Sequence, residues 1–382
     1  MGAVSTPGAA AKPALDENSV RRILTAAVKN RASDVHVRAG QPPMLRIDGQ
    51  LVPLNMGALT HQDAEVFVAY LANAGRVPEA IRLKQADFAI LAPGLCRFRC
   101  HLYRQLGSAA AVIRVVPLEI PGFAELNLPD MLAGIVAAER GLILVTGATG
   151  NGKTTTIASM LAYAAKHARK HILTIEDPVE FIIPPGESTV SQREVGRDAE
   201  SYTDALEAAL REDPDIMFIG EMRDRRTVEV ALQAAESGHL VMSTIHTSDS
   251  VRTVERIAAF FETQDEQMSA RLRFAEHFHA VVSQRLLPRA GGQGRVLASE
   301  VMLASSTIRE QVRDVQKSKT LWQTLERSNN EGMRTFDQHL KQMMQQGLIT
   351  METAQAHATR VSDFIRDVGL DMDYAAPQLP RR

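Results

Sequence analysis

The chain has 382 residues, 45% of them hydrophobic and 23% charged, with a formal net charge of -2. That length and apolar content suit two or three globular domains with ordinary buried cores, and the near-neutral balance gives no overall electrostatic pull toward nucleic acid or an anionic membrane surface. No window approaches the roughly 18 to 20 apolar residues of a membrane span, and Met1 to Pro13 lack the basic and apolar blocks of a secretory signal, so a cytoplasmic protein is expected.

Residues 1–17, rich in Ala, Pro and Gly, read as a flexible leader. Val20, Ile23, Leu24, Ala27 and Val28 then recur at helical spacing, and Ser33 to Arg38 alternates as a strand. Met44 to Leu51 reads as a hairpin turning at Asp48-Gly49, and Cys96 to Tyr103 with Ala110 to Val116 as a second strand pair. Cys96 and Cys100 share one face of that strand, too far apart to be bridged, and read as structural thiols. Residues 18–117 are therefore expected to form a small α/β domain with an antiparallel sheet, and the Pro-rich stretch that follows sets a linker at 118–127. Within 128–368, the apolar strands Leu142 to Thr146, Ile172 to Glu176, Ile216 to Glu221 and Leu240 to Ile245 are separated by helical segments. That alternation predicts an α/β domain built on a doubly wound parallel sheet. Leu321, Trp322, Leu325, Phe336, Leu340, Met343, Met344 and Leu348 at helical spacing predict carboxyl-terminal helices packed as core, and 369–382 reads as a loose tail.

The run Gly147-Ala148-Thr149-Gly150-Asn151-Gly152-Lys153-Thr154 fits the G-x-x-x-x-G-K-[ST] phosphate-binding loop. It stands between an apolar strand and a helix that Thr155 continues, which is the context such a loop requires. Glycines let the backbone turn so that its N–H groups face the phosphates, and the helix start adds positive potential. Lys153 is expected to reach the β- and γ-phosphates and the Thr154 hydroxyl to ligand Mg2+.

Two further strands end in acids. Ile172 to Ile175 leads into Glu176-Asp177-Pro178-Val179-Glu180, at the sheet edge where ligands of open α/β folds sit, so a base for water is expected there. Ile216 to Ile219 leads into Gly220-Glu221, the shape of a Walker B strand with Gly220 where many carry Asp. That leaves Glu221 to hold Mg2+ through water. His239 and His246 flank the next strand. A lone histidine is more often structural, and the polar strand ends beside the same loop shift His246 toward sensing the γ-phosphate.

Taken together, Gly147 to Thr154, Thr174 to Phe181, Gln192 to Val195, Leu210 to Asp215, Gly220 to Asp224, Glu236 to Leu240 and Thr244 to Thr247 resemble the motifs of the secretion ATPase superfamily, within it the PilT branch of type IV pilus retraction motors. The resemblance spans roughly residues 19–365. It implies a PAS-like amino-terminal domain, a RecA-like core and a homohexameric ring that holds ATP with Mg2+ at its interfaces. It also implies that Arg99 and Arg114 face the nucleotide as arginines of the amino-terminal domain. The partners implied are a platform protein of the inner membrane, where the motor would sit peripherally, and a paralogous motor ATPase; nucleic acid is not expected. Thr307 to Asp314 keeps Ile308, Arg309 and Arg313 of the late retraction motif Ala-Ile-Arg-Asn-Leu-Ile-Arg-Glu but departs from it at Thr307, Glu310 and Gln311. An accessory retraction paralogue therefore stands beside the primary motor as an alternative. Assembly and secretion ATPases often carry a four-cysteine metal site that Cys96 and Cys100 cannot build, and the intact loop and acids argue against a non-hydrolysing regulator.

Overall fold

The computed structural model describes residues 15–47, 49–78, 85–116, 118–292, 294–328 and 332–375. Most of the expected leader, Asp48 of the hairpin turn, Pro117 and the end of the expected tail lie outside the described residues. The chain divides into two compact units, the first running to Leu118 and the second from Glu119.

In the first unit, helix α1 (Glu17–Lys29) starts at Asp16, whose carboxylate accepts from the Ser19 N–H at 2.8 Å. Its apolar stripe Val20, Ile23, Leu24 and Ala27 is buried. Helix α2 (His61–Ala74) opens with a reciprocal capping box between Thr60 and Asp63. The strands are β1 (Asp34–Arg38), β2 (Met44–Ile47), β3 (Gln50–Pro53), β4 (Gln85–Ala92), β5 (Cys96–Gln105) and β6 (Ser108–Val116). They form one antiparallel sheet in the order β3-β2-β1-β6-β5-β4. Alternate residues such as Val35, Val37, Leu45, Phe98, Leu102 and Ile113 join α1 and α2 in one core, and Cys96 and Cys100 are buried there as free thiols. Within the stretch expected as leader, the Leu15 N–H donates to Asp63 at 2.7 Å, so the cap of α2 also pins the approach to α1.

The second unit carries β7 (Gly141–Thr146), β8 (His171–Glu176), β9 (Thr189–Glu194), β10 (Ile216–Ile219), β11 (Leu240–Ile245), β12 (Phe278–Pro288) and β13 (Arg295–Leu303). Their order is β13-β12-β7-β11-β10-β8-β9, parallel throughout except for the antiparallel pair β12–β13. The mixed α/β architecture with a parallel sheet is thus as the strand and helix alternation predicts. Helices α3 (Leu132–Val136), α4 (Lys153–His167), α5 (Tyr202–Ala209), α6 (Arg225–Glu236), α7 (Ser250–Ala258), α8 (Gln264–His277), α9 (Ser306–Arg313) and α10 (Leu321–Arg327) surround it. The central strands β7, β10 and β11 are buried end to end because both faces are covered.

Helices α11 (Phe336–Gln345), α12 (Met351–His357) and α13 (Val361–Ala375) close a separate cluster over Leu287, Val296 and Ala298 of the β12–β13 pair. Phe364 and Val368 are buried in that cluster, and α13 runs to Ala375, past residue 369 where the loose tail is expected to begin.

Candidate nucleotide-binding site

The parallel register decides what meets at the sheet edge. Thr146 lies opposite Ile245, and Ile219 lies opposite both Ile175 and Ser243. The residues that follow these strands, Gly147, Glu176, Gly220-Glu221 and His246, therefore emerge side by side.

The loop Gly147 to Gly152 joins β7 to α4 with Gly147, Gly150 and Gly152 at φ +146°, +83° and +82°, a region that side chains resist. A Cβ at Gly147 would stand 2.6 Å from the Gln284 carbonyl oxygen, so glycine is also required sterically. Ala148, Thr149 and Gly150 are exposed, Asn151, Thr154 and Thr155 half-buried, and Lys153 buried. The Lys153 ammonium donates to the Gly147 and Ala148 carbonyls at 2.8 and 3.2 Å, which folds the side chain back over the loop. Burial pushes its pKa down, while the charges of Glu221 and Glu180 hold it up.

From Lys153 a chain of polar contacts runs across the strand ends. Lys153 Nζ lies 3.4 Å from His246 Nδ1, and His246 Nε2 lies 2.9 Å from Glu221 Oε1. An ammonium can only donate, so Nδ1 accepts and Nε2 carries the proton that reaches Glu221. The second oxygen of Glu221 accepts from Arg223 Nε at 2.9 Å. Arg223 in turn has its pKa raised, first by that hydrogen bond.

Glu176 ends β8 almost out of contact with solvent, and burial pushes its carboxyl up to about 7. Donors oppose that shift only in part: Thr174 Oγ1 at 2.8 Å, Gln192 Nε2 at 3.3 Å and the Glu180 N–H at 3.4 Å. Glu180 is half-buried one turn of loop away, and its charge adds to the rise at Glu176. A carboxyl that titrates near neutrality beside a phosphate loop has the proton affinity of a base for water.

Residues that sequence reasoning missed hold these groups in place. The Tyr202 hydroxyl donates to the Ile175 carbonyl at 3.2 Å and accepts from the Glu221 N–H at 3.4 Å, bridging the two acid-bearing strand ends. A Cβ on Gly220 would stand 3.3 Å from the Ile175 carbonyl and 3.4 Å from that hydroxyl, so a side chain at this strand end would fit tightly and require its neighbours to give by a few tenths of an ångström. His239 bonds Ser237 and the Ala234 carbonyl, each at 3.0 Å, and is a structural histidine.

Arg99 and Arg114 belong to the first unit, where β5 and β6 set them directly opposite each other. Arg114 Nε donates to Asp34 at 3.1 Å. In the late motif, Arg309 bonds the Ala275 carbonyl at 2.6 Å, and Gln311 donates to the Thr320 and Thr324 hydroxyls at 3.0 and 2.9 Å.

A family model described as type II/IV secretion system protein matches residues 10–356. The chain belongs to that family. It is 38% identical over 345 residues to the type IV pilus retraction ATPase PilT of Pseudomonas aeruginosa, covering 90% of this chain and 99% of the relative. It is also 36% identical over 344 residues to the type IV pilus ATPase PilU of the same organism, covering 90% of this chain and 89% of that one. Among solved structures, the pilus retraction motor PilT with bound ADP superposes with a TM-score of 0.82 at 41% identity, over 90% of this chain and 98% of that one.

Proposed function

We propose that this secretion-family chain is an ATP-hydrolysing motor that drives type IV pilus retraction. The observation that carries the reading is the contact chain from Lys153 through His246 to Glu221, built beside a phosphate loop in a chain homologous to PilT. Water attacks the γ-phosphorus in line, an oxygen–phosphorus bond forms as the bond to the β–γ bridging oxygen breaks, and Glu176 or Glu180 takes the proton. Lys153 neutralises charge on the departing phosphate, and His246 relays the state of the γ-phosphate to Glu221. Among the described residues no group of three or more His, Cys, Asp or Glu forms a ready-made metal cage. The Thr154 hydroxyl and the Glu221 carboxylate are oxygen donors of the kind Mg2+ takes: Thr154 and, through water, Glu221 would hold the ion, which spreads the charge of the phosphates.

Arg99 and Arg114 act as fingers on the γ-phosphate in an assembled homohexamer, a role worth about 10³ to 10⁵ in rate in other NTPases. No helix among the described residues is long and apolar enough to cross a membrane; the motor works in the cytoplasm, held at the inner membrane by the platform protein of the pilus. The near-equal identity to PilU and the changed residues Thr307, Glu310 and Gln311 favour a second reading, an accessory motor that works with a paralogue.

Deletion of the gene, complemented by wild type or by Lys153→Ala, tests both. Excess surface pili without twitching, restored only by wild type, supports the primary motor. Loss of pili makes the chain an assembly ATPase, and an unchanged phenotype points to the accessory role or to a different secretion machine.

A further inference from the structure

Strand β12 carries none of the residues assigned above, yet three consecutive positions on it touch both loops of the site. Gln284 is fully buried and donates through Nε2 to Thr156 Oγ1 in α4 at 2.7 Å. Its backbone carbonyl accepts from Asn151 Nδ2 at 3.1 Å, and Asn151 Oδ1 accepts from the Leu286 N–H at 3.3 Å, so one loop side chain spans two peptide groups of β12. The same carbonyl is the atom against which Gly147 is packed. The opposite face of the strand holds the His246 loop. Ser283 Oγ accepts from Thr146 Oγ1 at 2.8 Å and lies 3.3 Å from Ser250 Oγ, and Arg285 donates to the Ser248 carbonyl at 3.4 Å. Arg285 also bonds the His357 carbonyl at the end of α12.

We propose that Ser283, Gln284 and Arg285 are positioning residues: β12 holds the phosphate loop on one face and the loop after His246 on the other, so that Lys153 and His246 meet. Gln284 Oε1 is buried without a hydrogen-bond partner among the described residues. Such an atom is costly. The donor end of the same amide is used: Nε2 reaches Thr156 and ties β12 to the first turn of α4. The inference rests on the reading of this loop as a nucleotide site. It adds that the loop is held in shape from β12, through the Asn151 side chain that bonds the Gln284 carbonyl and the Leu286 N–H.

Loosening a preformed phosphate cradle weakens ground state and transition state alike, which raises KM and leaves kcat. The whole chain is tested as Gln284→Met, which keeps volume and removes the amide, and as Thr156→Val, which removes the hydroxyl that the amide reaches. ATP affinity is read by calorimetric titration, KM and kcat by phosphate release, and folding by the Tm without nucleotide. Each variant is expected to raise Kd and KM for ATP about tenfold, the worth of one or two lost hydrogen bonds, with kcat within about threefold and Tm near that of wild type. Folded variants that bind ATP as wild type does, or that lose kcat at unchanged KM, would overturn the positioning role while leaving the nucleotide reading intact. A wild-type chain that binds no ATP would overturn both.

Discussion

Replacing Glu176 by Gln should separate the chemistry of the site from the stability of the fold. The carboxyl is 6% exposed, and burial raises it from 4.5 to about 7 in spite of three hydrogen bonds that favour the charge. A base with that pKa is about one-tenth ionised near pH 6 and about nine-tenths near pH 8, so wild-type hydrolysis should climb roughly tenfold across that interval. In Glu176→Gln the climb should vanish and the rate fall by about 10² to 10⁴. Stability runs the other way. Because the folded pKa is raised, the stability tied to this group is complete below about 4.5 and is lost as pH rises through about 7. The shift is worth on the order of 3 kcal/mol above neutrality, so the variant should melt at or above the wild-type Tm near pH 8 and lose that advantage near pH 5. Phosphate release from about pH 5.5 to 9, with thermal melts on the same samples, reads both effects. A Glu176→Gln protein that keeps the sloping rate profile would falsify Glu176 as the base and leave Glu180 in that role. One that is less stable than wild type near pH 8 would refute the burial cost itself.

Gly147→Ala should cost more than tenfold in ATP affinity by titration, because a Cβ there meets the Gln284 carbonyl at 2.6 Å and the backbone sits at φ +146°. Glu300 is a buried carboxyl that accepts from the Ser250 N–H at 2.8 Å and the Phe336 N–H at 3.3 Å, at the starts of α7 and α11, and burial pushes it up to about 7. The wild-type Tm should therefore decline from about pH 4.5 to 7, and melts of Glu300→Gln should show a shallower decline over that range. Asp34→Ala should destabilise the first unit by about 1 to 3 kcal/mol in thermal or urea melts. Asp34 is 7% exposed, accepts from Arg114 at 3.1 Å and from Ser33 at 2.8 Å, and lies 4.0 Å from Arg46, so its removal leaves two guanidinium groups facing each other across β1.

The parts of this protein that were legible in the chain are those whose cause is local. Glycine spacing at 147, 150 and 152 requires left-handed backbone wherever the loop ends up, and an unbroken apolar run such as Gly141 to Thr146 has to be covered on both faces. Glu176, Glu221 and His246 are readable because each stands within two residues of the end of such a run, and parallel strands deliver their carboxyl ends to one edge.

What only the tertiary structure decided is which distant groups brace that edge. The amide of Gln284 and its partner Thr156 are 128 residues apart, and its carbonyl and Asn151 are 133 apart. No periodicity encodes such pairs, because they exist only once β12 has been laid beside β7. Gly220 is a further case: the chain shows only an absent acid, whereas the fold sets the carbonyl of a neighbouring strand and a tyrosine hydroxyl close against that position. The burial that lifts Glu176 to about 7 likewise comes from the strands and helix around it, so the residue was visible in the sequence and its proton affinity was not. Sequence determines the backbone and the order of the strands' apolar faces; the proton affinities and the rigidity of the site follow from long-range packing, where desolvation and hydrogen bonds are set by neighbours that the chain order does not name.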